Sequence, residues 1–547
     1  MSDSPDKDAD WWRGAVIYQI YPRSFQDSDG DGMGDLPGIT RRLEHVAMLG
    51  ADAIWISPFF PSPMKDMGYD VSDYTGVDPM FGSLQDFDDL VARAHALGLK
   101  VMIDQVMNHT SDQHAWFRES RLGREGDKAD WYVWADPKED GSAPNNWLSV
   151  FGGPAWEWDG VRKQYYLHNF LASQPDLNFH CEAVQDAILE TVRFWLERGV
   201  DGFRLDTANF FFHDKLLRSN PPVGEQKGPA GIGADAPDVN PYGMQSHLYS
   251  KSQPENVAWL ERFRALLDEY DGRTSVGEVG DARAIELTAE YTATGKRLHM
   301  CYTFDLLSEN FSPHFFRRTV KRFEEVVTDG WVCWAFSNHD VVRHASRFAP
   351  DHREEVAKLS ATLLLSLRGS VCLYQGEELG LGEAEIAYED VQDPYGLRFW
   401  PAFKGRDGCR TPMVWEAGAA QAGFSTGKPW LPVPAEHLPL AVDRQAGRAG
   451  SVLEHYRAML GQRRQSAVLR KGDIGFIDAT AQVLAFIRAL GEERVLQVFN
   501  LSDRPARWSV PDGLSVAGDF PLPGAAAEWR GSSVELPAFG FGARLLD

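Results

Sequence analysis

Gly202-Phe203-Arg204-Leu205-Asp206 is a short run in which ionisable residues alternate with apolar ones. Side chains along a strand alternate with period two, so Arg204 and Asp206 share one face while Phe203 and Leu205 point the other way, towards helices. An Arg⁺ one pleat below a carboxylate favours its ionised form. Read alone, the run also fits an ordinary buried Arg–Asp pair. Directly upstream, Ala183–Arg198 carries apolar residues at three- and four-residue steps, the helical period.

The same rhythm extends in both directions. Short apolar runs recur at Ala15–Tyr21, Ala53–Ser57, Leu99–Val106, Gly202–Asp206, Thr274–Val279, Met300–Phe304, Val332–Ser337 and Val371–Gln375. Helical patterns lie between them, among them Leu84–Leu97, Val257–Tyr270 and Glu354–Leu367. Eight βα units in series predict a closed parallel (β/α)8 barrel, an α/β fold of the TIM type. An open doubly wound sheet is the alternative, and the number of units together with acids at several strand ends favours the barrel.

Two connections exceed ordinary βα loops. The first, from Asn108 to about His180, is rich in Trp, Gly and Asp and predicts a small domain inserted after the third strand, residues 109–180. The second, Gly376 to about Gln445, is Pro- and Gly-rich and follows the eighth strand. The barrel would then comprise residues 1–108 and 181–466. From 467 to 547 short alternating strands such as Val483–Arg488, Arg494–Phe499 and Ala506–Val510 predict a C-terminal antiparallel β-sandwich.

Composition excludes some function classes. The formal charge of −24, with no Lys/Arg cluster, argues against a nucleic-acid partner. No run of about 18 apolar residues is present to span a membrane. Residues Met1 to Asp10 are acidic and polar, without a secretory pattern. Five cysteines, odd in number and without CxxC spacing, suit reduced thiols in a cytoplasmic protein better than disulfides or a zinc site.

Four segments place acids where a barrel carries out chemistry. The third strand ends in Asp104-Gln105-Val106-Met107-Asn108-His109, the fourth in Asp206, the fifth in Gly277-Glu278-Val279 and the seventh in Phe336-Ser337-Asn338-His339-Asp340. One acid at a strand end is usually a cap or faces solvent. Several acids and two histidines on one rim would cost stability unless they had a task.

These four segments resemble the signature regions of the α-amylase superfamily, glycoside hydrolase family 13, in order and over nearly the whole chain. The resemblance implies a double displacement with Asp206 as nucleophile, Glu278 as acid/base and Asp340 as the third carboxylate, holding the sugar's 2- and 3-hydroxyls. In such a retaining pair the two carboxyl groups stand about 5–5.5 Å apart. It further implies that Asp104, His109, Arg204 and His339 line the same subsite.

Further segments look like the α-glucosidase and oligo-1,6-glucosidase group. In Asp66-Met67-Gly68-Tyr69-Asp70 the resemblance implies that Tyr69 stacks on the glucose face. In Gly405-Arg406-Asp407-Gly408-Cys409-Arg410-Thr411-Pro412-Met413 it implies that Arg410 pairs with Asp66 and closes the pocket beyond one glucose. Gln174-Pro175-Asp176-Leu177-Asn178 matches a further region of the group, including Gln174, and Phe151 and Phe170 resemble its pocket walls. Thr207, after the nucleophile, goes in this group with α-1,4 bonds or sucrose over isomaltose. Gln105 departs from the apolar residue many relatives carry.

Asp27-Ser28-Asp29-Gly30-Asp31-Gly32-Met33-Gly34-Asp35 places oxygen ligands at alternate positions, as in the first half of an EF-hand loop, although flanking helices are missing. A solvated acidic turn is the plain alternative. By resemblance Asp27, Asp29, Asp31, the Met33 carbonyl and Asp35 hold Ca²⁺ or Mg²⁺ in a structural role, far from the barrel mouth.

The expectation is an exo-acting retaining α-glucosidase, monomeric or weakly oligomeric, working on small oligosaccharides or α-glucosides. The alternative is an α-glucosyl transferase or sucrose isomerase that uses the same catalytic residues. A catalytically inactive relative, such as the ectodomain of an amino-acid transporter heavy chain, would lack part of the carboxylate set and carry a membrane span.

Overall fold

A computed structural model describes residues 10–224 and 239–547, so the acidic stretch 1–9 lies outside the described residues. Eight parallel strands form one sheet: β1 (Val16–Ile20), β2 (Ala53–Ile56), β3 (Lys100–Gln105), β4 (Gly202–Leu205), β5 (Thr274–Val279), β6 (Met300–Thr303), β7 (Cys333–Ala335) and β8 (Ser370–Tyr374). Pairing runs β7-β8-β1-β2-β3-β4-β5-β6. A parallel bridge from Cys301 to Val332 joins β6 to β7, so the sheet closes as a (β/α)8 barrel.

Among the described residues, eight helices surround it: α1 (Leu36–Leu49), α2 (Leu84–Ala96), α3 (Glu182–Glu197), α4 (Asn256–Leu267), α5 (Ala284–Thr292), α6 (Pro313–Val326), α7 (Arg353–Ser366) and α8 (Val452–Gln465). Their ends follow local chemistry. Asp35 caps α1 by accepting from the Gly38 amide at 2.6 Å, and Ser83 with Asp86 forms a capping box on α2. Phe203 and Leu205 pack among the outer helices, Phe203 edge-on to Phe263. Ile17, Trp55, Met102, Val276, Met300, Cys333 and Cys372 fill the barrel interior.

Between β3 and α3 the chain leaves the barrel to form a small antiparallel sheet, in which Gln164–Leu167 pairs with both Trp134–Ala135 and Trp156–Asp159. After α8 come a five-stranded and a three-stranded antiparallel sheet, packed over a core that includes Val483, Leu496, Val498, Trp508 and Val534. The long stretch after β8 contains short helices at Pro394–Phe399 and Val442–Gln445. The connection from β4 to α4 is also long, a feature its irregular, Pro-rich sequence did not advertise as an insertion. Among the described residues, no helix is long and apolar enough to cross a membrane.

Candidate active site

The strand ends converge on Arg204. This guanidinium is fully buried in β4 and donates from Nη1 to Asp104 at 2.8 Å and to Asp206 at 2.6 Å. From Nη2 it donates to Glu278 and, at 2.9 Å, to the Tyr302 hydroxyl. The period-two reading of the strand therefore holds: Arg204 sits on the inner face, and Asp206 lies just past the strand end. Three carboxyl groups around one guanidinium leave an excess of negative charge in a space shielded from water. Burial pushes the Glu278 carboxyl well above the usual range and, with Asp206 and Asp340 adding to it, overrides the pull of Arg204. Burial likewise raises the Asp104 carboxyl, to about 7, against the pull of Arg204.

The turn after Asp206 is unusual. Thr207 adopts φ +44°, a left-handed conformation that β-branched residues seldom take. That geometry aims the Thr207 amide at Glu278 Oε2 (3.3 Å) and its hydroxyl at Asp206 Oδ2 (3.3 Å). The next amide, Ala208, donates to the Glu278 carbonyl at 2.9 Å. The loop after β4 and the end of β5 are thereby tied together.

Asp66, Tyr69, His109, Phe170, Asp206, Glu278, Asp340 and Arg406 line one small pocket at this rim. Tyr69 lies flat against His339, with ring centroids 5.3 Å apart, and donates its hydroxyl to Asp104 at 3.0 Å. Gln174 donates to Asp66 at 3.0 Å and approaches His109 Nε2 at 3.2 Å. Phe170 stands between His109 and Phe151. Burial holds both histidines neutral, His109 pushed down to about 4 and His339 to about 3.

The residue facing Asp66 corrects the sequence expectation. Arg406, not Arg410, pairs with Asp66, through Nη2 at 3.0 Å. The same guanidinium reaches Asp340 at 3.0 Å and Asp393 at 2.7 Å. Arg410 instead donates to Asp340 Oδ1 at 2.9 Å and to the His339 carbonyl at 2.7 Å. The two arginines lie on either side of a 3₁₀ turn, Asp407–Cys409, which sends their side chains to different partners. Burial would raise the Asp340 carboxyl, but the guanidinium charges of Arg406 and Arg410 beside it hold it far below the usual range. Asp66 moves the other way, because burial outweighs its ion pair with Arg406. Three acids thus share two guanidinium groups, and Asp66 carries the excess.

Sequence reasoning missed Arg406, although it stands in the quoted loop segment, and missed Asp393, Tyr302 and Gln19, which no motif marked. Gln105 contributes nothing to the pocket: it points outward to the Thr191 hydroxyl on α3 at 3.2 Å.

The acidic loop after β1 gathers Asp27, Asp29 and Asp35, with one carboxylate oxygen from each lying within 4.8 Å of the others. Hard oxygen donors at that spacing suit a divalent cation such as Ca²⁺. Asp31 is outside this trio; its carboxylate accepts from the Met33 amide at 2.7 Å. Asp27 also accepts from the amides of Asp29, Gly30 and Gly32 and from the Ser425 hydroxyl. Gly32, at φ +94°, leaves no room for a Cβ against the Lys428 carbonyl. The loop grips the segment around 424–430, and Ser24 just upstream bonds the Arg410 carbonyl.

Residues 19–472 match the family model for the α-amylase catalytic domain. The chain is 57% identical to a probable alpha-glucosidase of Rhizobium meliloti (strain 1021), over 99% of this chain and 98% of that protein. Among solved structures it is similar to the alpha-glucosyl transfer enzyme XgtA, at 56% identity and TM-score 0.94, covering 98% of this chain and 99% of that one. It is also similar to the trehalulose synthase MutB of Pseudomonas mesoacidophila MX-45, at 32% identity and TM-score 0.89, covering 98% of this chain and all of MutB.

Proposed function

This chain belongs to the α-amylase family, within its α-glucosidase-related group, and from that premise we propose that it is a retaining α-glucosyl transferase, with hydrolysis as the competing outcome. Asp206 attacks the anomeric carbon of a terminal α-glucosyl unit while Glu278 gives its proton to the departing glycosidic oxygen. Glu278, now a carboxylate, takes the proton from an incoming hydroxyl, which attacks the same carbon and frees Asp206. The opposite pKa shifts support these roles. Glu278 retains a proton to give, and Asp340 stays ionised to accept from sugar hydroxyls.

Glucosyl transfer, rather than simple hydrolysis, rests on one observation: full-length similarity at TM-score 0.94 to an enzyme described as transferring α-glucosyl groups. The similarity to a trehalulose synthase points the same way. The donor would be a short α-glucoside entering by its non-reducing end, with the Asp66–Arg406 pair closing the pocket beyond it. Thr207 favours α-1,4 bonds or sucrose over isomaltose. Asp206, Glu278 and Asp340 would be catalytic, while Asp104, His109, Phe151, Phe170, Gln174 and His339 would shape the same subsite. The bound cation would be Ca²⁺ or Mg²⁺, in a structural role. Five free cysteines, four of them buried, support a reducing cytoplasm. The segments 1–108 with 181–466, 109–180 and 467–547 would be its three domains.

Anomer-resolved NMR of the products from concentrated maltose or sucrose tests the reading. With sucrose, whose leaving group is fructose, we expect α-configured transfer products to outpace free glucose early in the reaction. With maltose, where each transfer itself releases one glucose, we expect α-configured oligosaccharides and fewer than two glucose per maltose consumed. Release of glucose alone, in proportion to donor consumed, returns the assignment to a plain α-glucosidase.

A further inference from the structure

Gln19 lies on β1, fully buried, and does not line the pocket. Its side-chain nitrogen is 2.8 Å from His339 Nδ1 and 3.2 Å from the Ser57 hydroxyl. The other ring nitrogen, Nε2, lies 2.6 Å from the Tyr69 hydroxyl and 3.3 Å from Asp340 Oδ2. A bare ring lone pair 3.3 Å from an ionised carboxylate is repelled by it, which favours the hydrogen on Nε2, where the short hydrogen bond is to the Tyr69 hydroxyl. A buried neutral imidazole carries one hydrogen, which leaves Nδ1 as an acceptor in need of a donor. The Gln19 amide is that donor. Turned end for end, it would set its carbonyl against Nδ1, move the hydrogen there and leave the Nε2 lone pair facing Asp340.

The consequence reaches the nucleophile's neighbours. With hydrogen on Nε2, the Tyr69 hydroxyl accepts from His339 and gives its own hydrogen to Asp104 Oδ2 at 3.0 Å. Asp104 in turn accepts from Arg204, which donates to Asp206. The donors from Gln19 to Asp104 therefore all point one way. Reversing the first reverses the second, and Asp104 would then face a lone pair on Tyr69.

We infer that Gln19 is a positioning residue whose amide sets the tautomer of His339, and through it the direction of the hydrogen-bond chain that presents Tyr69 and Asp340 to the sugar. The inference rests on the reading of this pocket as the sugar site, but its primary test does not depend on turnover.

Long-range ¹H–¹⁵N spectra of enzyme labelled with ¹⁵N-histidine, with His339 assigned by difference against His339→Gln, report which ring nitrogen is protonated. The native enzyme should show a bare Nδ1 and a protonated Nε2. In Gln19→Glu, read at a pH high enough to ionise the introduced carboxyl so that it offers only acceptors, Nδ1 should become protonated. Gln19→Met, which removes the donor at similar size, should lower kcat/KM on the donor glucoside on the order of tenfold to a hundredfold, the cost of one mispaired buried hydrogen bond. A native His339 protonated at Nδ1 overturns the inference even if neither variant folds. So does a folded Gln19→Glu enzyme whose Nδ1 stays bare, or a Gln19→Met enzyme within twofold of native. Absence of transfer products from the native enzyme, with the tautomer as expected, would instead count against the proposed function alone.

Discussion

Arg406 Nη2 lies 3.0 Å from Asp66 Oδ1, joining the loop after β8 to the loop after β2 across 340 residues of sequence. Both side chains are at least nine-tenths buried, and Arg406 binds Asp340 and Asp393 as well. Both residues line the pocket with Asp206, Glu278 and Asp340. A planar guanidinium held by three acidic side chains has little freedom to move aside, so this wall of the pocket is rigid.

Arg406→Ala should therefore lower kcat/KM for short α-glucosides by about 2–5 kcal/mol in transition-state terms, because it leaves buried acids unpaired. Arg410→Ala, which spares the bond to Asp66, should cost less. Steady-state kinetics of both variants on maltose compare them directly; a larger loss for Arg410→Ala contradicts the pairing described here.

Asp206→Asn should cut turnover by at least about a hundredfold while leaving the melting temperature near that of the native enzyme. Stopped assays and thermal melts on the same preparation check this. Retention of a tenth of native kcat would remove Asp206 from the nucleophile's role.

The raised Glu278 carboxyl fixes the sign of one limb of the pH profile. It must be protonated for the first step, so kcat/KM should fall as pH rises through its pKa. Glu278→Gln should abolish that limb and slow maltose by about 10²–10⁴-fold. α-Glucosyl fluoride, whose leaving group needs no proton, should suffer far less in its first step. Equal losses on both donors would assign the proton to another group.

Glu377 gives a stability prediction away from the chemistry. Burial pushes its carboxyl up to about 8 from an ordinary 4.5, so the folded chain holds a proton that the unfolded chain releases. Stability from this group is full below pH 4.5 and is lost as pH rises through about 8. Glu377→Gln mimics the neutral form and can still accept from the Tyr374 amide, bonded at 3.0 Å in the native chain. Its melting temperature relative to native should therefore climb between about pH 5 and about pH 8. A pH-independent difference would refute the shifted carboxyl.

The acidic loop should bind a divalent cation and report it as folding stability. Ca²⁺ added to chelator-treated protein should raise the melting temperature, and Asp29→Ala should abolish the response. If native protein melts identically with and without the ion, the loop is only an acidic turn.

Much of this protein can be read residue by residue. Arg204 and Asp206 share a face because strands repeat every two residues. The acids at the ends of β3, β4, β5 and β7 were visible because a closed parallel barrel brings its strand ends to one rim. Thr207 was marked as important, but its left-handed backbone was not, since no local pattern announces strain in a β-branched residue. Asp31 was counted as a ligand from regular spacing and resemblance, and the turn geometry left it out of the converging trio.

The sequence alone determined the repeated βα rhythm, the barrel and the four acid-bearing strand ends, because these depend on short-range periodicity and on a closure that follows from it. Only the tertiary structure decided which arginine meets Asp66, that Gln19 faces His339, and that the acidic loop after β1 braces the segment around 424–430. Those contacts join loops hundreds of residues apart. Their partners are chosen by backbone turns and by the balance of buried charge, three acids against two guanidinium groups, and neither leaves a periodic trace in the chain.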